Sequence, residues 1–470
     1  MSGTVMPIVR VAVLADSRMT EMALPAELPL REILPVVQRL VVPAGADGEN
    51  GEAGAAPRLS LAPIGGAPFS LDASLNTVGV VDGDLLALQP VPAGPAAPGV
   101  VEDIADAAMI FSTSRRNPWG AGHIQRGALV AAILVTLLAT GLWVTYRVTT
   151  GALSGLVAVS ALAALVAITG LLSTVRSPRV GIALSVTALV PIAAALTLAV
   201  PGSFGAEQIL LAASGVAAWS LVALIVPSSE REWAASFFTA TAVVGFVVAL
   251  AAGAESIWQL PVLTIGCGLI VAALLVTVQA AQLSALWARF PLPVIPAPGD
   301  PTPAPPSRAV LEDLPRRVRI GDEYQKGFIA AAVLLSVLGS VAIALRPETV
   351  SVAGWYVVAA TSAAAALRAR VWDSAACKAW LLGQPFLAAG VLLVLYTSTG
   401  RYTAALAALL VLHVLVLAWV VVALNPAIAS AETYSLPLRR LLGFVAGGLD
   451  VSLIPVMAFL VGLFTWVLNR

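Results

Sequence analysis

Very few side chains in this 470-residue sequence could do chemistry. It holds two histidines, His123 and His413, two cysteines, Cys267 and Cys377, and two lysines, Lys326 and Lys378. Neither lysine follows a glycine-rich loop, so there is no Walker-type phosphate cradle and no nucleotide hydrolysis is expected. No His-Glu-x-x-His is present, and the cysteines have neither a zinc spacing nor the pattern of a disulfide framework. An intramembrane aspartyl protease would need two carboxylates inside apolar segments, and Asp450 is the one that sits well within such a segment. A serine protease could borrow His413, but no serine motif accompanies it. The sequence therefore predicts no catalytic residue, no cofactor and no metal.

His413 and Asp450 remain as a candidate intramembrane polar pair. They fall in consecutive apolar segments that run antiparallel, at similar depth. An ionised Asp at mid-membrane costs about 2.5–3.5 kcal/mol on insertion scales, so it should face protein, pair or be neutralised. Two readings follow: a proton-sensitive pair, or a neutral hydrogen bond that ties two helices together. The second is favoured.

The elements that hold these residues are set by composition. The chain is 59% hydrophobic and 11% charged, against roughly 25% charged for an ordinary soluble domain. That excludes a soluble enzyme and leaves a polytopic membrane protein. Net charge is zero, so nothing points to nucleic acid. Residues 1–7 lack a basic stretch before a long apolar run, and no signal peptide is expected.

Eleven runs are long enough to span a bilayer, at 127–147, 152–174, 180–200, 206–226, 233–253, 258–284, 327–345, 350–368, 379–397, 402–424 and 441–467. Nothing alternates at barrel spacing, so the spans are helices. With the N-terminus inside, 17 of the Arg and Lys residues from Arg115 onward lie on the cytoplasmic side. The other four, Arg147, Arg346, Arg401 and Arg470, lie outside. This bias places the N-terminus in the cytoplasm and the C-terminus in the periplasm. Two Gly-x-x-x-Gly patterns, Gly151/Gly155 and Gly443/Gly447, are candidates for close helix packing. The spans carry few ionisable groups and show no matching broken helices, which argues for a scaffold or apolar-walled conduit. The alternative is a multi-pass secondary transporter with a regulatory head.

Ahead of the spans, residues 1–91 have ordinary polarity. Residues 8–15 and 18–24 alternate as strands around the turn signal Asp16-Ser17. Leu30, Ile33, Leu34, Val37, Leu40 and Val41 recur at helical spacing, with Pro35 inside the pattern. A Gly/Ala-rich loop at 43–57, a short strand near 58–62, and Asp82-Gly83 feeding a last strand complete an α+β β-grasp order. Its sheet face and an edge built from residues 9–15 and 85–88 are expected to dock partners, with Arg10, Arg18 and Arg31 as rim charges.

Residues 92–126 form a linker carrying Arg115 and Arg116, in which 100–111 is either a docking helix or a solvated spacer. The loop 289–326 separates spans 1–6 (127–288) from spans 7–11 (327–470). Its first half is proline-rich and extended. Its second half, with Arg316, Arg317 and Arg319, is an amphipathic interfacial segment, a docking peptide or a solvated tether.

This architecture resembles the EccD family of mycobacterial type VII (ESX) secretion systems, across the whole chain. The specific parts are residues 75–88, with Val80-Val81-Asp82-Gly83-Asp84, and Ser114-Arg115-Arg116-Asn117-Pro118-Trp119 before the first span. The usage of 24 arginines to two lysines fits a high-GC actinobacterium. The resemblance implies a ubiquitin-like cytoplasmic domain followed by an all-α membrane domain of 11 transmembrane helices. It implies a non-enzymatic inner-membrane subunit that pairs with a second EccD and assembles with EccB, EccE and the ATPase EccC. Bound membrane lipid and export of WXG100 (Esx) and PE/PPE proteins are part of the same expectation. The paralogue is not legible in the residues, and the reading leans to the system tied to iron acquisition.

Overall fold

The computed structural model describes residues 7–15, 18–41, 59–64, 66–91, 112, 120–226, 231–290, 308–425 and 435–468. The turn at 16–17, the loop at 43–57, the candidate helix at 100–111, Arg115, Arg116 and the proline-rich stretch up to 306 lie outside the described residues, as does the side chain of Arg18. The chain forms two units, 1–119 and 120–470.

In the first unit, β1 (Ile8–Ala15) pairs antiparallel with β2 (Arg18–Pro25) in a register that runs from Ile8↔Pro25 to Ala15↔Arg18. Helix α1 (Leu30–Val41) runs through Pro35 and buries Leu30, Ile33, Leu34, Val37 and Val41. These are five of the six helical-spacing residues, laid against Val11, Val13, Leu61, Leu75 and Leu86, whereas the sixth, Leu40, faces outward and is exposed. Two further strands follow, β3 (Leu59–Pro63) and β4 (Leu85–Pro90), and the sheet order is β2-β1-β4-β3. The central β1–β4 pair is parallel, reached by the α1 crossover, as a β-grasp requires. Gly83, at φ +94°, makes the turn into β4, and its N–H donates to Arg10 O at 2.7 Å. The Arg10 N–H in turn donates to Asp82 Oδ1 at 2.5 Å.

This topology corrects one expectation. Residues 9–15 and 85–88 supply no sheet edge, because β1 and β4 are hydrogen-bonded on both sides and the edges belong to β2 and β3. A crossover that makes two strands parallel neighbours leaves the outer places to their hairpin-type partners. What β1 and β4 do offer is part of an open face, on which Ile8, Met19 and Leu85 are exposed.

The second unit is helical: α2 (Ala121–Thr150), α3 (Leu153–Arg176), α4 (Pro178–Ala199), α5 (Ala206–Ile225), α6 (Arg231–Trp258), α7 (Val262–Trp287), α8 (Arg308–Ile343), α9 (Val352–Arg368), α10 (Ala375–Ser398), α11 (Tyr402–Leu424), α12 (Leu436–Leu460) and the short α13 (Leu463–Leu468). Helices α2 to α12 supply eleven candidate spans among the described residues. Helix α8 already begins at Arg308, so the basic second half of the 289–326 loop is continuous with the seventh span rather than a separate tether. The central helix is α8, packed against α6, α7, α9 and α10. Its most apolar window is 72% buried, against 11% for α2, α11 and α12, which therefore keep their faces for lipid or partners.

Helices α7 and α8 approach closely backbone to backbone. A Cβ added at Gly339 would lie 2.6 Å from the Gly266 carbonyl oxygen, and one at Gly266 would lie 2.8 Å from that of Gly339. No side chain fits between these backbones.

Candidate functional site

Asp450 lies ten residues beyond Arg440 on α12, roughly 15 Å along the axis at ~1.5 Å per residue. Its carboxylate accepts from Arg368 Nε at 3.1 Å, and Arg368 Nη2 closes the second arm of the fork. Arg368 is the last residue of α9, so its long side chain carries a positive charge back to the carboxylate. Two further bonds join α9, or the turn that follows it, to α12. Arg370 Nη2 donates to Leu442 O at 3.1 Å, and the Tyr356 and Ser452 hydroxyls lie 2.6 Å apart.

His413 is not the partner of Asp450. Its Nδ1 sits 2.9 Å from Leu409 O on its own helix, and the side chain is exposed. The reason is the packing order: α12 lies against α9 and α7, whereas α11 lies against α10. Consecutive helices need not be neighbours. The missed residue, Arg368, had a signal in the sequence, since a long cation at the end of the eighth span can reach back to an acid in another span.

On the opposite side of the bundle, Arg401 forms a second clamp. It pairs with Glu348 at 3.1 Å and donates to Leu345 O at 2.8 Å. Nearby, the buried Tyr396 hydroxyl donates to Ala344 O at 2.6 Å. Between α9, α10 and α11 lies a groove of about 870 Å³, walled by alanines such as Ala359, Ala363, Ala388 and Ala404. Glu348 is the one charged side chain lining it, and Arg401 neutralises that charge. Such a groove suits hydrocarbon.

The remaining candidates separate. Gly155 is a true close approach, since a Cβ there would lie 2.8 Å from Arg147 Cβ. Gly151 ends α2 at φ +70° and accepts from the Arg147 guanidinium. Gly443 and Gly447 have nothing within 4 Å of an added Cβ, so α12 presents them outward. Arg10 is exposed, and Arg31 pairs with Asp72 at 2.9 Å on the surface. Arg317 binds Asp313 at 2.7 Å, Arg316 lies 3.9 Å from the same carboxylate, and Arg319 is exposed on α8. No group of three or more His, Cys, Asp or Glu that could hold a metal occurs among the described residues.

Residues 124–469 match the EccD-like transmembrane domain. The chain belongs to the EccD family. Residues 8–88 also match YukD of the WXG100 protein secretion system, in agreement with the β-grasp topology. The chain is 77% identical over 472 residues to the ESX-3 secretion system protein EccD3 of Mycobacterium tuberculosis (strain ATCC 25618 / H37Rv), covering 100% of both chains. It is 61% identical over 475 residues to the EccD3 protein of Mycolicibacterium smegmatis, covering 100% of this chain and 99% of the relative. A solved structure, protomer 1 of the ESX-3 core complex, is 60% identical, with a TM-score of 0.70 over 98% of this chain and 100% of that one. As an EccD protein, the chain is a multi-pass, non-enzymatic membrane subunit of a type VII (ESX) secretion system.

Proposed function

We propose that this EccD protein is the inner-membrane scaffold of an ESX-3-type complex. In this reading it pairs with a second EccD, holds EccB, EccE and the ATPase EccC in place, and supports export of Esx and PE/PPE proteins. The N-terminus is cytoplasmic and the C-terminus periplasmic. The observation that carries the proposal is the division of labour in the bundle. A buried α8 forms a rigid centre, while α2, α11 and α12 are left largely uncovered and α12 turns Gly443 and Gly447 outward. A helix with an open small-residue face suits contact with another helix. The acid deep in a span, Asp450, is paired with Arg368, which fits a scaffold better than a carrier.

Docking of soluble parts is assigned to the β-grasp head, through its open face and Arg10, Arg18 and Arg31, and to Arg115 and Arg116 in the linker. Arg319, with Arg316 and Arg317, extends the basic surface along α8. The test is removal of residues 1–91 from the full chain in cells. The assembled complex should be lost while the membrane unit still inserts; an intact complex without the head would refute the docking role. Cysteine labelling at the two termini should protect the N-terminus and modify the C-terminus from outside, and the reverse pattern would refute the orientation.

A further inference from the structure

A second pocket, of about 500 Å³, opens where α5, α7 and α8 meet. Three guanidinium groups, Arg289, Arg316 and Arg317, line it against one carboxylate, Asp313. That carboxylate is committed: Arg317 Nε donates to it at 2.7 Å, while another arm of Arg317 holds the Arg289 carbonyl. Arg316 is 3.9 Å from Asp313, too far for a hydrogen bond. The Arg289 side chain has no ion pair among the described residues. Two cations therefore face this pocket with donors unspent.

The backbone presenting Arg289 is strained. Its φ is +53°, in the left-handed region that a non-glycine residue adopts at a cost. The hook is held by Phe290 N–H to Ala285 O at 3.1 Å. The Phe290 ring also covers Gly321, where a Cβ would come within 3.0 Å of it. A non-glycine residue is thus held with its backbone in the left-handed region at the pocket rim.

The other wall is apolar. Leu221, Leu224 and Ile225 come from the last turns of α5, and Leu221 and Ile225 are exposed. Trp287 and Tyr324 meet edge to face with ring centroids 5.6 Å apart, at the end of α7. Amphipathic aromatics of this kind belong at headgroup depth. Since α5 ends at Ile225 and α7 at Trp287, the pocket sits where two spans leave the bilayer. A ligand that satisfies both walls needs a phosphate for the guanidinium forks and acyl chains for the leucine side.

We propose that this pocket binds an anionic phospholipid, with its phosphodiester on Arg289 and Arg316 and its acyl chains along α5. The site stands independently of which subunits the chain assembles with. It explains why the basic start of α8 is a helix fused to the seventh span: the fusion fixes Arg316 and Arg317 at the bilayer surface.

The test titrates phosphatidylglycerol into the delipidated full chain in neutral detergent and counts bound lipid by native mass spectrometry. Phosphatidylcholine and glycerol 3-phosphate serve as comparisons. The wild type should take phosphatidylglycerol in preference to phosphatidylcholine, and glycerol 3-phosphate should not displace it. Each arginine contributes about fivefold at an anionic surface, so Arg289→Gln with Arg316→Gln should weaken binding about 25-fold. Arg126→Gln, a basic substitution outside the pocket, should leave it unchanged. These variants spare Arg317, which holds the hook. Equal uptake of phosphatidylcholine by the wild type, displacement by glycerol 3-phosphate, or undiminished binding in the double variant would each overturn the proposal. The wild-type comparisons decide the matter even where the double variant fails to fold.

Discussion

Arg368→Gln and Asp450→Asn should differ in cost although they break the same ion pair. Asp450 is a short side chain in the middle of α12, ten residues beyond Arg440, and without Arg368 its carboxylate has no counter-charge. Insertion scales set that cost at about 2.5–3.5 kcal/mol. Arg368 ends α9, and without Asp450 its long side chain can swing toward the surface, leaving a loss of about 1 kcal/mol for the missing bonds. At about 2 °C per kcal/mol, which is the lower end of the range for large domains, Arg368→Gln should lower the melting temperature by about 6 °C and Asp450→Asn by about 2 °C. The double variant removes both charges and should return to within about 2 °C of the wild type, because a neutral amide pair needs no counter-ion. The assay is thermal unfolding of the full chain in one detergent, followed by intrinsic fluorescence. Equal losses from the two single variants, or a double variant as unstable as the sum of both, would refute the coupling and the depth assigned to Asp450.

Other substitutions test the packing. Gly339→Leu should prevent a stable bundle, since even a Cβ meets the Gly266 carbonyl at 2.6 Å, whereas Gly443→Ala with Gly447→Ala should leave the melting temperature of the isolated chain unchanged; size-exclusion profiles and melting curves read both. Tyr396→Phe leaves the Ala344 carbonyl without its donor and should cost about 1–3 kcal/mol, seen as a lower melting temperature. Leu61→Ala, at a fully buried position of the head, should cost about 2–5 kcal/mol and unfold the β-grasp while the membrane unit stays helical by circular dichroism.

Much of the fold was legible because its signals are local. Alternation marked β1 and β2, helical spacing marked all five buried residues of α1, and Asp82-Gly83 marked the turn into β4. Hydrophobic run length marked the eleven spans. What failed depends on which element neighbours which. The sheet edge was misplaced because strand order is set by the crossover and not by any strand's own residues. Sequence adjacency suggests His413 as the partner of Asp450, whereas α12 packs on α9. The reciprocal glycine contact of Gly266 with Gly339 joins two helices at positions outside any Gly-x-x-x-Gly pattern. The early start of α8 was hidden by its charge, since a helix that leaves the bilayer loses the apolar signal without losing its hydrogen bonds.

The scaffold assignment is tested most directly by purifying the full chain from its own membranes in a mild detergent, then measuring the mass and subunit content of the particle. The account predicts a large assembly that contains a second copy of this chain and an FtsK/SpoIIIE-type ATPase. A solitary chain of 48.0 kDa that moves a solute across vesicles by itself would contradict it.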